Sequence, residues 1–394
     1  MICAEHYFDW AATSPADKDI LERALEYSIL HWGNPSSIHA AGADARKALE
    51  DARELAARSL GVSQSRIYFT SGGTEGDHIP LLSVLARPQK GSVLVSAIEH
   101  PAMAEMSKSI KNCGWDLITV NPDKDGFVRP GHITDKLRDD TAFVAVMAVN
   151  NETGAVQDIR GISDALKSAC GGKRRPHLHV DCVQAAGKIP LDFLEDCADS
   201  ASMSAHKICG PRGAGILYAA KPFTPFLRGG GQEGGIRSGT ESLFGAYSMA
   251  LCLERYAVTE KNTAASERYE RQLEWTERFM AGLRDIKGCA IIPHCRASLS
   301  AEDSRRMFSP WVVQAAFPGI PGQVMERALS AEGFYISTGS ACSSGSHARP
   351  VLDSMHIPPE EREGAVRFSF GPHTTYAAMT ELLEKVRSVS ERFL

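Results

Sequence analysis

The sequence predicts an α/β chain with a mostly parallel central sheet in a large domain and a smaller α/β domain at the C-terminal end. Three observations carry this. Short apolar runs alternate with amphipathic stretches through the first two-thirds of the chain. The longest apolar run, "AFVAVMAV" (142–149), has the length of a buried strand and falls far short of a membrane span. Near residue 256 the texture changes and a long charged stretch begins.

The elements follow in order. Ala45, Ala48, Leu49, Ala52, Leu55, Ala56 and Leu60 recur at helical spacing, which predicts a helix over 38–61 that Gly61 stops. Strands are expected at 66–70, 92–98, 116–120, 142–149, 178–180, 200–204 and 214–219, and a helix from Thr74. Beyond them come a charged helix at 259–286, a strand at 311–317 and a helix near 321–332. A strand at 365–370 and a last helix at 375–393 complete the chain. This divides it into a large domain, residues 15–255, and a small one, 256–394, on which residues 1–14 pack.

With 43% hydrophobic and 23% charged residues among 394, the chain has the makings of a soluble globular protein. A net charge of −5 and a pI near 6.2 disfavour direct nucleic-acid binding. The opening "MICAEHYFDWAATSP" carries Glu5, His6 and Asp9 and no apolar stretch, so no secretory leader and no membrane attachment are expected. Ten cysteines without a C-x-x-C pair suggest free thiols in a reducing, cytoplasmic setting, most of them small buried hydrophobes, and no metal site. Cys342 is different. It sits in "FYISTGSACSSGSHARP" (334–350), where neither a core nor disulfide or zinc spacing accounts for it. An incidental thiol is the plain reading; a nucleophile given reach by a Ser/Gly loop is the other.

Three further stretches bear on chemistry. In "IYFTSGGTEGDHI" (67–79) a strand leads through two glycines into a helix, which is either a tight turn or a phosphate cradle built on helix N–H groups. In "LHVDCVQAAGK" (178–188) Asp181 follows a strand, where it either caps the next segment or holds a ligand's ring N–H, with Gln184 in reach. In "SASMSAHKICGPRGAGILYA" (200–219) Lys207 ends a buried-looking strand before a rigid turn. A lysine there is costly unless it forms an imine with an aldehyde. Cradle, acid and lysine together, in this order, match the needs of pyridoxal phosphate.

The stretches "YFDWAATSP", "GNPSSIH", "TSGGTE", "EHPA", "VNNETGAVQDI", "HVDCVQAAGKIPLD", "SAHKICGPRGAGILY", "GGGQEGGIRSGTE", "STGSACSSGS" and "VRFSFG" resemble the cysteine desulfurases of the NifS/IscS-like group, which belong to the class V aminotransferases. The resemblance runs from residue 7 to about 376. It implies the type I fold of pyridoxal-phosphate-dependent transferases. It also implies that Lys207 holds the cofactor covalently, Asp181 faces its pyridine nitrogen, Gln184 its ring oxygen, and His100 stacks on the ring. Gly73, Thr74, Ser204 and His206 would bind its phosphate, and Thr240 would reach the phosphate in the neighbouring subunit of a homodimer. Asn151, also close to the cofactor, would grip the substrate carboxylate with Arg367 and Asn34. Lys207 would take the Cα proton of L-cysteine. Cys342 would receive the sulfur as a persulfide, releasing L-alanine. An acceptor protein, an iron–sulfur scaffold or a tRNA-thiolation enzyme, would take the sulfur onward. A selenocysteine lyase or another class V lyase or aminotransferase is the near alternative, and a non-catalytic scaffold the distant one.

Several positions depart from the pattern. Trp10 stands for Asn in "DNAAT", His78 for Asn after "TE-x-D", Arg228 for His before "GGGQE", and Gly235 where Arg is common. "GPHTT" (371–375) replaces "GRFTT", so that Pro372 and His373 stand for Arg-Phe. The segment after Cys342 is also about one residue shorter than usual.

Overall fold

The computed structural model describes residues 4–339 and 349–393, so Cys3 and Cys342 lie outside the described residues. Seven strands form the central sheet: β1 (Ile67–Thr70), β2 (Ser92–Ser96), β3 (Asp116–Val120), β4 (Thr141–Ala145), β5 (His177–Asp181), β6 (Ser200–Ser204) and β7 (Gly215–Ala219). Their order is β1-β7-β6-β5-β4-β2-β3. Every pairing is parallel except those of β7, which runs against both of its neighbours. Strands β1, β2, β4, β6 and β7 are buried along their whole length, which is why they read as unbroken apolar or small-residue runs rather than alternating ones.

Helices cover the sheet: α1 (Lys18–Leu30), α2 (Ala40–Leu60), α3 (Gly73–Leu82) and α4 (Pro101–Asn112) are the first of them. Helix α2 falls where its apolar spacing places it. The His39 side chain accepts from the Gly42 N–H at its start, and Gly61 ends it with φ 70°. Helix α3 lies close on β6. A Cβ on Gly76 would meet Ser202 Cβ at 2.9 Å, so both faces of this contact need small side chains.

The run 142–149 keeps only its first part as strand. β2 ends at Ser96, where the chain turns toward α4, so β4 loses its partner on that side. Val146 N and Ala148 N still donate to His179 O and Asp181 O of β5, at 3.2 and 2.8 Å.

A second sheet holds β8 (Ala290–Ile292), β9 (Val312–Ala316) and β10 (Ala365–Ser369) in the order β10-β9-β8, all antiparallel. Its core is its own: Phe8, Phe279, Trp311, Phe317, Phe368 and Phe370 pack there with the helix Tyr376–Phe393. Phe8 is held by hydrogen bonds from Ser369 N to its carbonyl (2.8 Å) and from its own N–H to Tyr335 O (2.7 Å). Several links tie the sheets together, among them two buried side chains. Buried Arg296 donates to Thr153 O and Val312 O, and Trp311 Nε1 donates to Lys188 O at 2.6 Å.

The loop after β7 is pinned by a buried ion pair. Arg53 of α2 donates from both terminal nitrogens to Glu233, at 2.7 Å each, and the Phe69 N–H donates to the same carboxylate at 2.7 Å. Glu233 holds this place with φ 47°, a conformation that needs such a clamp in a residue other than glycine. Removing the Glu233 charge leaves buried Arg53 with only the exposed Glu50 carboxylate, on its Nε at 3.2 Å. Glu233→Gln is therefore expected to lower the unfolding free energy by about 3 kcal/mol, read from chemical denaturation; an unchanged midpoint would count against the clamp.

Candidate active site at the carboxyl ends of the central strands

A cavity of about 230 Å³ opens where the parallel strands end. Gly73, Thr74, His100, Asn151, Asp181, Gln184, Ser204, His206, Lys207 and Arg367 line it. Ten of the thirteen residues singled out from the sequence thus meet in one place. Ala11, Ala12, Asp77, Met147 and Val183 complete the wall.

One end is a cradle of backbone. β1 stops at Thr70, Gly72 takes φ 148°, and α3 begins at Gly73 with its first N–H groups unused by the helix. The glycines are required sterically. A Cβ on Gly73 would lie 2.5 Å from Val183 Cγ2, and one on Gly215 would lie 2.6 Å from Gly72 Cα. Ser204 closes β6 beside them, and His206 follows. Burial, reinforced by the charges of Lys207 and Lys188, pushes the His206 imidazole down to about 4, so the ring is neutral at pH 7. A helix N-terminus with a hydroxyl and a neutral imidazole suits a phosphate.

The other end is acidic and dry. Asp181, the last residue of β5, is buried and accepts the Val183 N–H at 2.8 Å. Burial raises its carboxyl, nearby Asp77 adds to the rise, and His100 opposes it. Asp77 lies four residues into α3, accepts from Ser202 Oγ, and meets His179 Nε2 at 3.0 Å. Burial lifts it to about 7 and holds His179 near 4. Glu99 is also buried and is lifted to about 8 for the same reason; it accepts the Met147 N–H at 2.7 Å. A cationic ring N–H is the partner that would let Asp181 ionise here. His100 caps α4, its Nδ1 accepting the Ala102 N–H at 3.2 Å, which leaves the ring proton on Nε2. Burial lowers its pKa, so a flat neutral ring borders the cavity.

Two cations face the space between these ends. Lys207 sits on the 3-10 turn Ala205–Lys207 after β6, and its Nζ donates to Ala11 O and Ala12 O at 2.7 Å each. Arg367 reaches the cavity from the middle of β10 and is only 1% exposed. Its Nη1 donates to Asn151 O at 2.9 Å and its Nη2 to Asp9 Oδ1 at 2.7 Å, while Nε has no partner among the described residues. A buried guanidinium beside an amide side chain is a natural seat for a carboxylate.

The other three residues lie elsewhere. Asn34 is exposed, and its Oδ1 accepts the Ser36 N–H at 2.9 Å. Thr240 is exposed at a separate recess with Ser71 and Arg237. Cys342 is outside the described residues. Among the departures, Trp10 is buried and donates from Nε1 to Tyr7 O at 2.7 Å, with its ring 6.0 Å from His373. His78 donates from Nε2 to Ala102 O at 3.0 Å. Gly235 takes φ 81°, where a side chain such as the common Arg would be strained, and Arg228 is exposed.

Sequence reasoning passed over four site residues. Asp77 had a readable signal, one helical turn beyond Gly73. Glu99 stood next to His100 in "IEHPA". Asp9 and Lys188 had none: Asp9 meets Arg367 only across the fold, and Lys188 is buried on Gln184 only by the turn after β5. Among the described residues no group of three or more His, Cys, Asp or Glu is placed to hold a metal, and no helix is long and apolar enough to cross a membrane.

Comparison with known proteins agrees with this geometry. The family model "Aminotransferase class-V" matches residues 6–382. A cysteine desulfurase IscS of Methanosarcina thermophila is 34% identical over 98% of this chain and 92% of its own. One of Dictyoglomus turgidum is 33% identical over 98% and 96%. The solved structure of a NifS-like protein superposes with a TM-score of 0.87 at 32% identity, covering 99% of this chain and all of that one. The fold is accordingly the type I fold of pyridoxal-phosphate enzymes. The chain belongs to the class V aminotransferase family, in its NifS- and IscS-like cysteine desulfurase group.

Proposed function

We propose that this protein is a pyridoxal-phosphate-dependent cysteine desulfurase that converts L-cysteine to L-alanine and passes the sulfur on through Cys342. The observation that carries the reading is the convergence of Lys207, buried Asp181 and the Gly73 cradle on one cavity. The cofactor would be held by Lys207 covalently, by Gly73, Thr74, Ser204 and His206 at its phosphate, by Asp181 and Gln184 at its ring, and by His100 against the ring face, with Asn151 close by. Bound there, it supplies an electron sink for bond breaking at the substrate's Cα.

The protein's own groups do the rest. Arg367 and Asn151 hold the substrate carboxylate and so aim Cα at Lys207, and Asn34 closes over it from outside. Lys207 takes the Cα proton. The Cys342 thiolate attacks the sulfur of L-cysteine, forming an S–S bond as the C–S bond breaks. The electron pair of that bond stays with Cβ, which gains the proton released from the substrate thiol, while Lys207 returns its proton to Cα, and alanine leaves. Cys342 is left as a persulfide, and no outside oxidant is needed. Arg367 reaches the cavity from the second sheet; in a division into residues 15–255 and residues 256–394 with 1–14, the first part would hold the cofactor and the second would carry Cys342.

The protein acts as a homodimer in the cytoplasm and hands sulfur to an acceptor protein, an iron–sulfur scaffold or a tRNA-thiolation enzyme. Leu25, Ile29, Leu30, Trp32 and Ile38 make an exposed apolar surface along and just beyond α1. A second copy covering it would bring Thr240 to the partner's phosphate cradle.

Purified protein is expected to absorb in the near-violet, and addition of L-cysteine to shift that band and yield sulfide and alanine in equal amounts. A coloured protein inert to cysteine would move the substrate elsewhere, with selenocysteine tested next. Cys342→Ala should keep the colour and lose sulfide production to background; an active variant would sink the persulfide role. Leu30→Asp with Trp32→Asp should halve the mass seen by light scattering to about 42.7 kDa and loosen cofactor retention; an unaltered dimer would place the interface on another surface.

A further inference from the structure

Lys188 is buried beside the cavity without lining it. A buried ammonium is costly, and this one makes a single hydrogen bond among the described residues, to Gln184 Oε1 at 2.6 Å. On the other side Gln184 Nε2 donates to Ala11 O at 2.8 Å. The two neighbours dictate which end of the amide is which. An ammonium can only donate, so it must face the amide oxygen; a peptide carbonyl can only accept, so it must face the nitrogen. Ala11 lines the cavity and Lys188 does not, so the nitrogen end is the one turned toward the cavity wall.

We propose that Lys188 is a positioning residue that locks the Gln184 amide with its nitrogen toward the cavity, so that Gln184 presents a donor, and not an acceptor, to an oxygen of the bound cofactor. The inference rests on the reading of this cavity as a pyridoxal-phosphate site. The charge of Lys188 is under pressure. Burial, with Lys207 and Arg367 acting in the same sense and Cys209 against them, pushes it down to about 7. His206 is another titratable group that feels its charge. Charged or neutral, its Nζ–H donates to Gln184 Oε1 at 2.6 Å. Without Lys188 the Ala11 carbonyl alone opposes a turned-over amide, whose oxygen would meet the cofactor's oxygen in a repulsive contact.

The test is a double-mutant cycle on protein stripped of cofactor and titrated with pyridoxal phosphate. It compares wild type, Lys188→Met, Gln184→Ala and the double variant. The readouts are the cofactor Kd and the pH midpoint of its visible band. Lys188→Met is expected to weaken binding about tenfold, which corresponds to about 1.4 kcal/mol, and to move the pH midpoint. The double variant should be no worse than Gln184→Ala alone. Lys188→Gln, which keeps a polar group in place without dictating the amide's orientation, should show the same change at smaller size, and it serves if the methionine variant does not fold. Independent, multiplying effects in the double variant would overturn the proposal, as would a Lys188→Met or Lys188→Gln protein identical to wild type in both readouts. A wild-type protein that takes up no pyridoxal phosphate would instead overturn the cofactor reading and the proposal with it.

Discussion

Residues 8–14 form a short segment that is hydrogen-bonded to both halves of the molecule at once, and the cavity depends on it. Toward the second sheet, Phe8 O accepts the Ser369 N–H, Ala11 N donates to Ser369 Oγ, and Asp9 pairs with Arg367. Toward the central sheet, Ser14 donates to His206 O from both its N–H and its hydroxyl, and that hydroxyl accepts from Cys209 N. Between these anchors, the carbonyls of Ala11 and Ala12 take Lys207, and Ala11 O also takes Gln184. One strip of backbone therefore sets the positions of the lysine, the glutamine and the arginine. It does so through fixed dipoles, which need no rearrangement when a ligand enters.

This tie also explains how the cavity tolerates its charges. Asp77, Asp181 and Glu99 are all raised by burial, and the imidazoles of His179 and His206 are all lowered by it. Burial drives each group toward its neutral form, and the site can remain dry without a net charge that water must screen. The permanent cation is Arg367, and it is paired with Asp9. A ligand that brings its own cationic ring nitrogen and its own anionic phosphate completes both ends of this arrangement. The protein has left one deficit at β5 and the opposite one at the start of α3.

Much of this was legible before any coordinates. The central strands read clearly because burial on both faces writes an unbroken apolar run, and α2 because one buried face writes a repeat. The cradle, the acid and the lysine were legible because each lies where a strand ends and a turn begins, and the family resemblance gave the order. What could not be read depends on distant contacts. β8 has three residues, too few to show a period. The reversal of β7 follows from the connection 205–214, which returns the chain so that Ser204 and Gly215 are register partners across β6 and β7. Asp9 and Lys188 look like ordinary surface charges in the sequence; only folding across more than a hundred positions sets Asp9 on Arg367, and only the turn after β5 buries Lys188 on Gln184.

Two of the departures from the family pattern, at Trp10 and Pro372, meet in one place. Trp10, Gly371 and Pro372 line one small recess together with Lys188 and Lys207. The indole lies against Gly371 so closely that a Cβ there would come within 2.0 Å of the ring, so the tryptophan requires that glycine. Where the pattern has an amide and a guanidinium, this chain has an indole and a pyrrolidine ring. The recess already carries Lys188 and Lys207, and a third cation there would press Lys188 further toward its neutral form. Trp10 and Pro372 thus make the wall of this recess more apolar, beside a lysine that donates to the carbonyls of Ala11 and Ala12.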